Sequence, residues 1–312
     1  ISLYPSDGND SLTLLRNADT AMYRAKEQGR NKSQFYSSEM GAKALEKFML
    51  ESNLRHALGR KEFQLYYQPQ VNLTTGTITG VEALLRWRHP ELGLVSPAQF
   101  IPVAEETGLM KSIDAWVLQT ACLQAQAWRA AGLPPITMSV NLSGAVFGEH
   151  NLAELISRVL GESYLVPEQL ELEITESAIM QNAEPTVLML GNLRRMGVRL
   201  AVDDFGTGYS SLSYLKRFPI DTLKIDQSFV RDIETDTNNR ALSNAIIVMA
   251  HALGLKVIAE GVETAGQLAL LKEAGCDFAQ GYYFSRPLAA DAFEAWLVDN
   301  TGLLDRRANE GR

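Results

Sequence analysis

The sequence predicts an α/β protein, a (β/α)8 barrel with one antiparallel strand, preceded by a short helical segment. Three observations predict it. From Glu62 onward, short β-branched or apolar runs alternate with longer stretches of helical periodicity, the pattern of parallel strands joined by crossover helices. Eight strand candidates fall within about 240 residues, the size of such a barrel. The first two are joined by Leu73-Thr74-Thr75-Gly76, a turn short enough for a hairpin, which sets one barrel strand antiparallel. A doubly wound open sheet is the alternative from pattern alone.

The elements follow in order. Leu14, Ala18, Ala21, Met22 and Ala25 recur at helical spacing until Gly29-Arg30-Asn31 ends the run. A second helix is predicted over 40–58, carrying Leu45, Phe48, Met49, Leu54 and Leu58, and both helices are expected to pack on the barrel. Strands are predicted at 63–71, 78–87, 136–142, 170–175, 198–204, 222–226, 256–260 and 278–284. Helices are predicted between them at 110–131, 151–162, 184–196, 210–217, 238–253 and 265–274. Gly132, Gly197, Gly254 and Gly275 stand where helices would end in the left-handed region.

Composition narrows the function. Hydrophobic residues at 46% and charged residues at 21% are ordinary globular values, so long disorder is not expected. A net charge of −8 argues against a basic phosphate-tracking surface, and no nucleic-acid polymer is expected as partner. No apolar run approaches the roughly 20 residues of a membrane span and no signal peptide is visible, so no membrane contact is expected from this segment. Cys122 and Cys276 fit buried thiols in a reducing compartment, which makes a cytoplasmic location the expectation. The chain opens on Ile1 rather than Met and is expected to be cut from a longer protein.

Barrel active sites form at the C-terminal strand ends. Here those ends carry Glu82, Asn141, Glu173, Asp203, Asp204, Lys224 and Glu260. One acid near a strand end is ordinarily a cap or a solvated residue, whereas five at successive ends suggest convergence. Like charges 4 Å apart repel by roughly 4 kcal/mol at an effective dielectric near 20, so five buried carboxylates need counter-charge. Two divalent cations with Lys224 would neutralise them. An all-oxygen donor set, with His56, His89, His150 and His251 scattered, favours Mg²⁺ or Mn²⁺ over Zn²⁺. Two such ions activate water in phosphodiester hydrolysis. The run Asp203-Asp204-Phe205-Gly206-Thr207-Gly208-Tyr209-Ser210-Ser211 reads as a mobile gate over the site, and is weak as a phosphate cradle.

Glu82-Ala83-Leu84, continuing through Leu85-Arg86-Trp87, resembles the motif that names the EAL family of cyclic di-GMP phosphodiesterases. Asn141-Leu142-Ser143, Glu171-Leu172-Glu173-Ile174-Thr175-Glu176, Asp203-Asp204-Phe205-Gly206, Lys224-Ile225-Asp226, Glu260-Gly261-Val262-Glu263 and Gln280-Gly281-Tyr282-Tyr283-Phe284-Ser285-Arg286-Pro287 resemble its remaining motifs in order. The resemblance implies the EAL fold, a TIM-like barrel, and hydrolysis of cyclic di-GMP to linear pGpG. It implies that Glu82, Asn141, Glu173 and Asp203 hold one metal, with Asp203 shared and Asp204 serving the second. Glu260 resembles a general base or a second-metal ligand. Lys224 would hold the attacking water or developing charge, and Glu176 would anchor the glycine-rich loop. That loop is linked in the family to dimer contacts, so a homodimer is expected.

Substrate contacts are expected from Gln68, Leu85, Arg86, Gln280 and Tyr282: an arginine for a phosphate, amides for base or ribose edges, a ring for a guanine. The alternative to the enzyme is a non-catalytic cyclic di-GMP receptor, and a purely structural module ranks last. Every acidic motif position is filled, which favours the enzyme. The N-terminal Leu14 to Asn31 region, after Ile1 to Gly8, resembles the C-terminal end of a GGDEF domain without its GTP-binding loop. The expected organisation is a GGDEF remnant over 1–38, a linker helix over 39–60, the EAL barrel over 61–300 and a tail over 301–312.

Overall fold

The computed structural model describes residues 1–300 except positions 28, 30, 148–150, 182 and 209–211. Two helices come first, α1 (Ser11–Glu27) and α2 (Ser38–Ala57). Then follow β1 (Phe63–Asn72), β2 (Ile78–His89), β3 (Gly93–Val95), α3 (Pro97–Glu106), α4 (Met110–Ala130), β4 (Thr137–Leu142), α5 (Gly144–Phe147) and α6 (Leu152–Ser163). Next are β5 (Leu170–Thr175), α7 (Glu176–Gln181), α8 (Ala183–Arg195), β6 (Arg199–Phe205), α9 (Leu212–Leu215), β7 (Thr222–Ile225), α10 (Gln227–Arg231) and α11 (Thr237–Ala252). The chain continues through β8 (Lys256–Ala259), α12 (Ala265–Glu273), β9 (Phe278–Ala279), β10 (Leu288–Ala289) and α13 (Ala290–Asp299).

Eight strands close the barrel in the order β1-β9-β8-β7-β6-β5-β4-β2, with β2 pairing back to β1. Closure excludes the open sheet. β1 runs antiparallel to β2 and β9, whereas β2 and β4 to β9 run parallel. The hairpin turn is made by its sequence: Asn72 Oδ1 accepts from the backbone N–H groups of Thr74 and Thr75, both at 2.9 Å, and Gly76 takes φ 72°. Strands β3 and β10 extend the sheet outside the closed ring.

Alternation along each strand sends one set of side chains to the helices and the other into the barrel. Val81, Val140, Leu172, Val202, Leu223 and Val257 belong to the apolar core. The opposite set is polar. Glu171 of β5 accepts from Ser139 of β4 at 3.0 Å and from Thr222 of β7 at 2.9 Å. Because β5 and β7 are not neighbours, that bridge crosses the barrel interior. Cys122 and Cys276 are unpaired and buried, and burial pushes both thiols up to about 12, consistent with packing roles.

Several expectations need correction. The last barrel strand stops at Ala279 instead of running to 284, because the chain turns to pair with the loop after β8. Val262 N–H donates to Gln280 O, Tyr283 N–H donates to Val262 O, and a Cβ at Gly281 would collide with the Val262 backbone. The helices α3 and α13 and the strands β3 and β10 were not anticipated. In α2, Leu45, Phe48 and Met49 are exposed, and only Leu54 and Ala57 are buried in the core, with Leu50 and Leu58 at its margin. Among the described residues, α1 packs chiefly on α2. The predicted helix over 210–217 is represented by Leu212–Leu215, and the tail over 301–312 lies outside the described residues.

Candidate active site

One level above the Glu171 layer, the inward positions of the strands bring Glu82, Glu173, Asp203 and Glu260 around a single lysine. Lys224 Nζ lies 2.6 Å from both Glu173 Oε2 and Glu260 Oε1, 3.3 Å from Asp203 Oδ1 and 3.7 Å from Glu82 Oε2. Lys224 and Glu173 are both 0% exposed. Asn141 Nδ2 donates to Glu82 Oε1 at 2.6 Å, and Gln280 Nε2 donates to Glu82 Oε2. Gln280 also donates to Gln68 Oε1 at 3.0 Å, and Gln68 donates to Ser285 O at 3.1 Å. Three amides therefore line the acidic cluster on the β1, β4 and β9 sides.

Asp204 follows Asp203 in a strained turn. Its φ is 54°, in the left-handed region, and its N–H donates to Asp203 Oδ1 at 2.9 Å. This kink directs two consecutive carboxylates to one place, which a straight strand would send to opposite faces. Carboxylate oxygens of Asp203, Asp204 and Glu260 lie within 4.8 Å of one another. Behind them, Glu176 at the start of α7 accepts from Gly206 N–H at 2.8 Å and is buried. A Cβ at Gly208 would press on the Glu176 carboxylate, so glycine there lets the loop approach it. Residues 209–211, the rest of the expected gate, lie outside the described residues.

The charges do not balance. Burial would lower the Lys224 pKa, but Asp203, Glu173, Glu260 and Glu82 reverse that and hold its ammonium well above the ordinary lysine value. Burial, reinforced by Glu82, pushes Glu173 well above the carboxylate range. Burial likewise raises Glu260 to about 8 against the pull of Lys224, and raises Asp204 to about 6 with help from Asp203 and Asp226. Glu82 goes the other way: burial opposes ionisation, but Lys224, Gln280 and Asn141 outweigh it and hold the carboxyl low. One ammonium among five acids leaves the site short of positive charge.

A divalent cation fits these residues. Among the described residues, Glu173 Oε1 is buried without a hydrogen-bond partner, a costly condition for a carboxylate oxygen unless a cation takes it. The donors are carboxylate and amide oxygens, the set preferred by hard cations such as Mg²⁺ and Mn²⁺.

A polar cleft of about 270 Å³ opens above the cluster, lined by Gln68, Glu82, Arg86, Asp203, Glu260, Gln280 and Tyr282, among others. Tyr282 is 49% exposed, and the Arg286 guanidinium stands 4.4 Å from its ring centroid. Leu85 is not placed as expected. Strand alternation turns Leu84 and Arg86 to the cleft, and Leu85 packs on the hydrophobic core while its carbonyl accepts from Arg86 Nη1 at 2.8 Å. Gln227, next to Lys224-Ile225-Asp226, and Glu263, the last residue of Glu260-Gly261-Val262-Glu263, also line the cleft, a role the sequence analysis gave to neither.

The chain resembles known proteins over most of its length. The chain is 45% identical over 291 residues to the bifunctional diguanylate cyclase/cyclic di-GMP phosphodiesterase MucR of Pseudomonas aeruginosa, covering 93% of this chain and 42% of that protein. It is 44% identical over 297 residues to the cyclic di-GMP phosphodiesterase NbdA of the same organism, covering 95% of this chain and 38% of that protein. It thus spans less than half the length of these curated relatives. The solved PaMucR phosphodiesterase in complex with c-di-GMP superimposes with a TM-score of 0.77 at 43% identity, covering 78% of this chain and 99% of that chain. With the EAL domain family matching residues 51–287 and its acidic motifs converging on one buried lysine, the chain belongs to the EAL domain family.

Proposed function

We propose that this protein hydrolyses cyclic di-GMP to linear pGpG with Mg²⁺ or Mn²⁺. The observation that carries the reading is the charge-deficient cluster at the barrel mouth: acids converging on Lys224, with the Glu173 Oε1 atom buried and, among the described residues, unpartnered. Similarity to relatives named cyclic di-GMP phosphodiesterases supplies the substrate. Glu82, Asn141, Glu173 and Asp203 would hold one ion, and Asp203, Asp204 and Glu260 the second. Ions bound there would supply an activated water and neutralise charge on the leaving oxygen.

The chain's own residues do the rest. Lys224, fixed between Glu173 and Glu260, keeps a positive charge where negative charge develops in the reaction. Glu260 lies on the open side of the cluster, 18% exposed at its side chain, and is placed to receive a proton from water entering the cleft. Arg86 faces the cleft to meet a phosphate, Gln68 and Gln280 offer amide edges, and Tyr282 offers a ring to a guanine. Glu176 holds the Gly206 turn beside Asp203 and Asp204. The proposal includes a homodimer, which sedimentation with and without ligand checks. It also reads residues 1–38 as the end of a GGDEF domain and 39–60 as the joining helix.

Incubation of the purified chain with cyclic di-GMP and Mn²⁺, followed by chromatography, is expected to give pGpG, and a chelator to abolish it. Glu82→Ala and Glu260→Gln should each lower turnover by about 10²-fold or more. Unchanged hydrolysis in both variants would overturn the site. Nucleotide binding without product after long incubation with Mn²⁺ would favour a receptor.

A further inference from the structure

Asn141 is held from two directions. On the barrel side its amide N–H donates to Glu82, which leaves Oδ1 as the atom able to face a cation. On the other side the chain leaves β4 through Leu142 and Ser143, and Ser143 is tied to a buried acid on α4. Ser143 Oγ donates to Asp114 Oδ2 at 2.5 Å, and the Ser143 backbone N–H approaches the same oxygen at 3.3 Å. The shorter contact lies in the range of a charge-assisted O–H···O⁻ bond.

Asp114 needs an explanation. It is 2% exposed, on the helix face that buries Met110, Ile113, Val117 and Leu118. Removing a carboxylate from water costs several kcal/mol unless its partners are good. Glu105, a second acid, repels it. Ser143 also precedes α5, where a serine hydroxyl ordinarily accepts from the helix N–H groups. Here the hydroxyl gives its proton to α4. The arrangement favours neither the core nor the α5 cap, but it locks the turn that immediately follows Asn141.

We propose that Asp114 is a positioning residue for the metal site, acting through Ser143 to hold the β4 end so that Asn141 presents Oδ1 to a divalent cation. The proposal rests on Asn141 being a metal ligand, and its test separates the two. Mn²⁺ binding to nucleotide-free protein would be measured by calorimetry for the parent chain, Asn141→Ala, Ser143→Ala, Asp114→Ala, the Ser143→Ala/Asp114→Ala double variant and Asp114→Asn. Ser143→Ala and Asp114→Ala are each expected to weaken Mn²⁺ by about tenfold, the lower end of what partners of metal ligands contribute. The double variant should be no weaker than Asp114→Ala, which by itself removes both the hydroxyl and the backbone contact. Asp114→Asn keeps an accepting oxygen and should recover most of the affinity. At saturating Mn²⁺, kcat of Ser143→Ala should stay within about twofold of the parent, since the ligands themselves are intact. Lowered melting temperatures with unchanged Mn²⁺ affinity in Ser143→Ala and Asp114→Ala would overturn the proposal and leave Asp114 a packing residue. An Asn141→Ala variant that binds Mn²⁺ like the parent would overturn it at its root, by removing Asn141 from the metal site.

Discussion

The buried lysine organises the site and sets its liabilities. Lys224 is the ammonium in contact with Glu82, Glu173, Asp203 and Glu260, so removing it strands buried acids, Glu173 above all, without their counter-charge. Lys224→Met is expected to lose about 3–5 kcal/mol of stability in chelator at pH 8, the cost of breaking a buried pair from one side. Saturating Mn²⁺ should restore more stability to the variant than it adds to the parent, read from paired thermal melts. Equal losses with and without the ion would show that Lys224 does not share its charge-balancing role with a cation. Asp114 gives a pH signature elsewhere. Burial raises its pKa to about 6 from an ordinary 3.8, so its contribution to stability is full below about pH 4 and lost as pH rises through about 6. The difference is worth about 3 kcal/mol. Asp114→Asn should therefore gain on the parent between pH 4 and 7.5 in urea denaturation, and parallel pH profiles would contradict the buried charge.

At the level of elements, function depends on how strands end. β6 is broken near its end by a bulge with the left-handed residue Asp204, and β9 stops just before Gly281 meets the Val262 backbone. Both breaks aim side chains at the cleft that a continued strand would misdirect. The loop between β8 and α12 carries Glu260 and Glu263 and is tied down at its far end by a capping box. Thr264 Oγ1 accepts from Gln267 N–H at 3.0 Å, and Gln267 Oε1 accepts from the N–H groups of Thr264 at 3.0 Å and Glu263 at 2.7 Å. Thr264→Ala should cost about 1 kcal/mol in chemical denaturation, a typical cap loss. Its KM for cyclic di-GMP should change more than that of a capping variant remote from the cleft, such as Asp236→Ala, which removes the cap of α11. Matching KM values in the two variants would remove the loop from substrate binding.

At the scale of the whole molecule, the N-terminal helices and the barrel are different in kind. α1 leaves Leu12, Leu15 and Met22 exposed and packs on α2, while α2 touches the core through its second half. Deleting residues 1–36 keeps Ser37, which caps α2, and should leave the barrel's melting temperature within about 5 °C, roughly what 1–2 kcal/mol produces in a domain of this size. A larger fall would mean that α1 stabilises the barrel. The net charge of −8 includes the acids at the barrel mouth, so the surface facing an anionic ligand is less hostile than the total suggests once cations are held there. Among the described residues no helix is long and apolar enough to cross a membrane.

The sequence by itself determined the barrel, its antiparallel strand, most helix limits and the identity of the residues at the strand ends, because period, turn chemistry and residue type are local properties. It also named the amides Gln68 and Gln280 without saying that they would touch each other and Glu82. Only the tertiary structure decided that four of the acids share one lysine and that Asp114 reaches Ser143. These depend on strand register around a closed ring and on which turn of α4 lies against β4. Register is a relation between segments far apart in the chain, and a one-residue slip would reverse every side chain, so no local pattern can encode it.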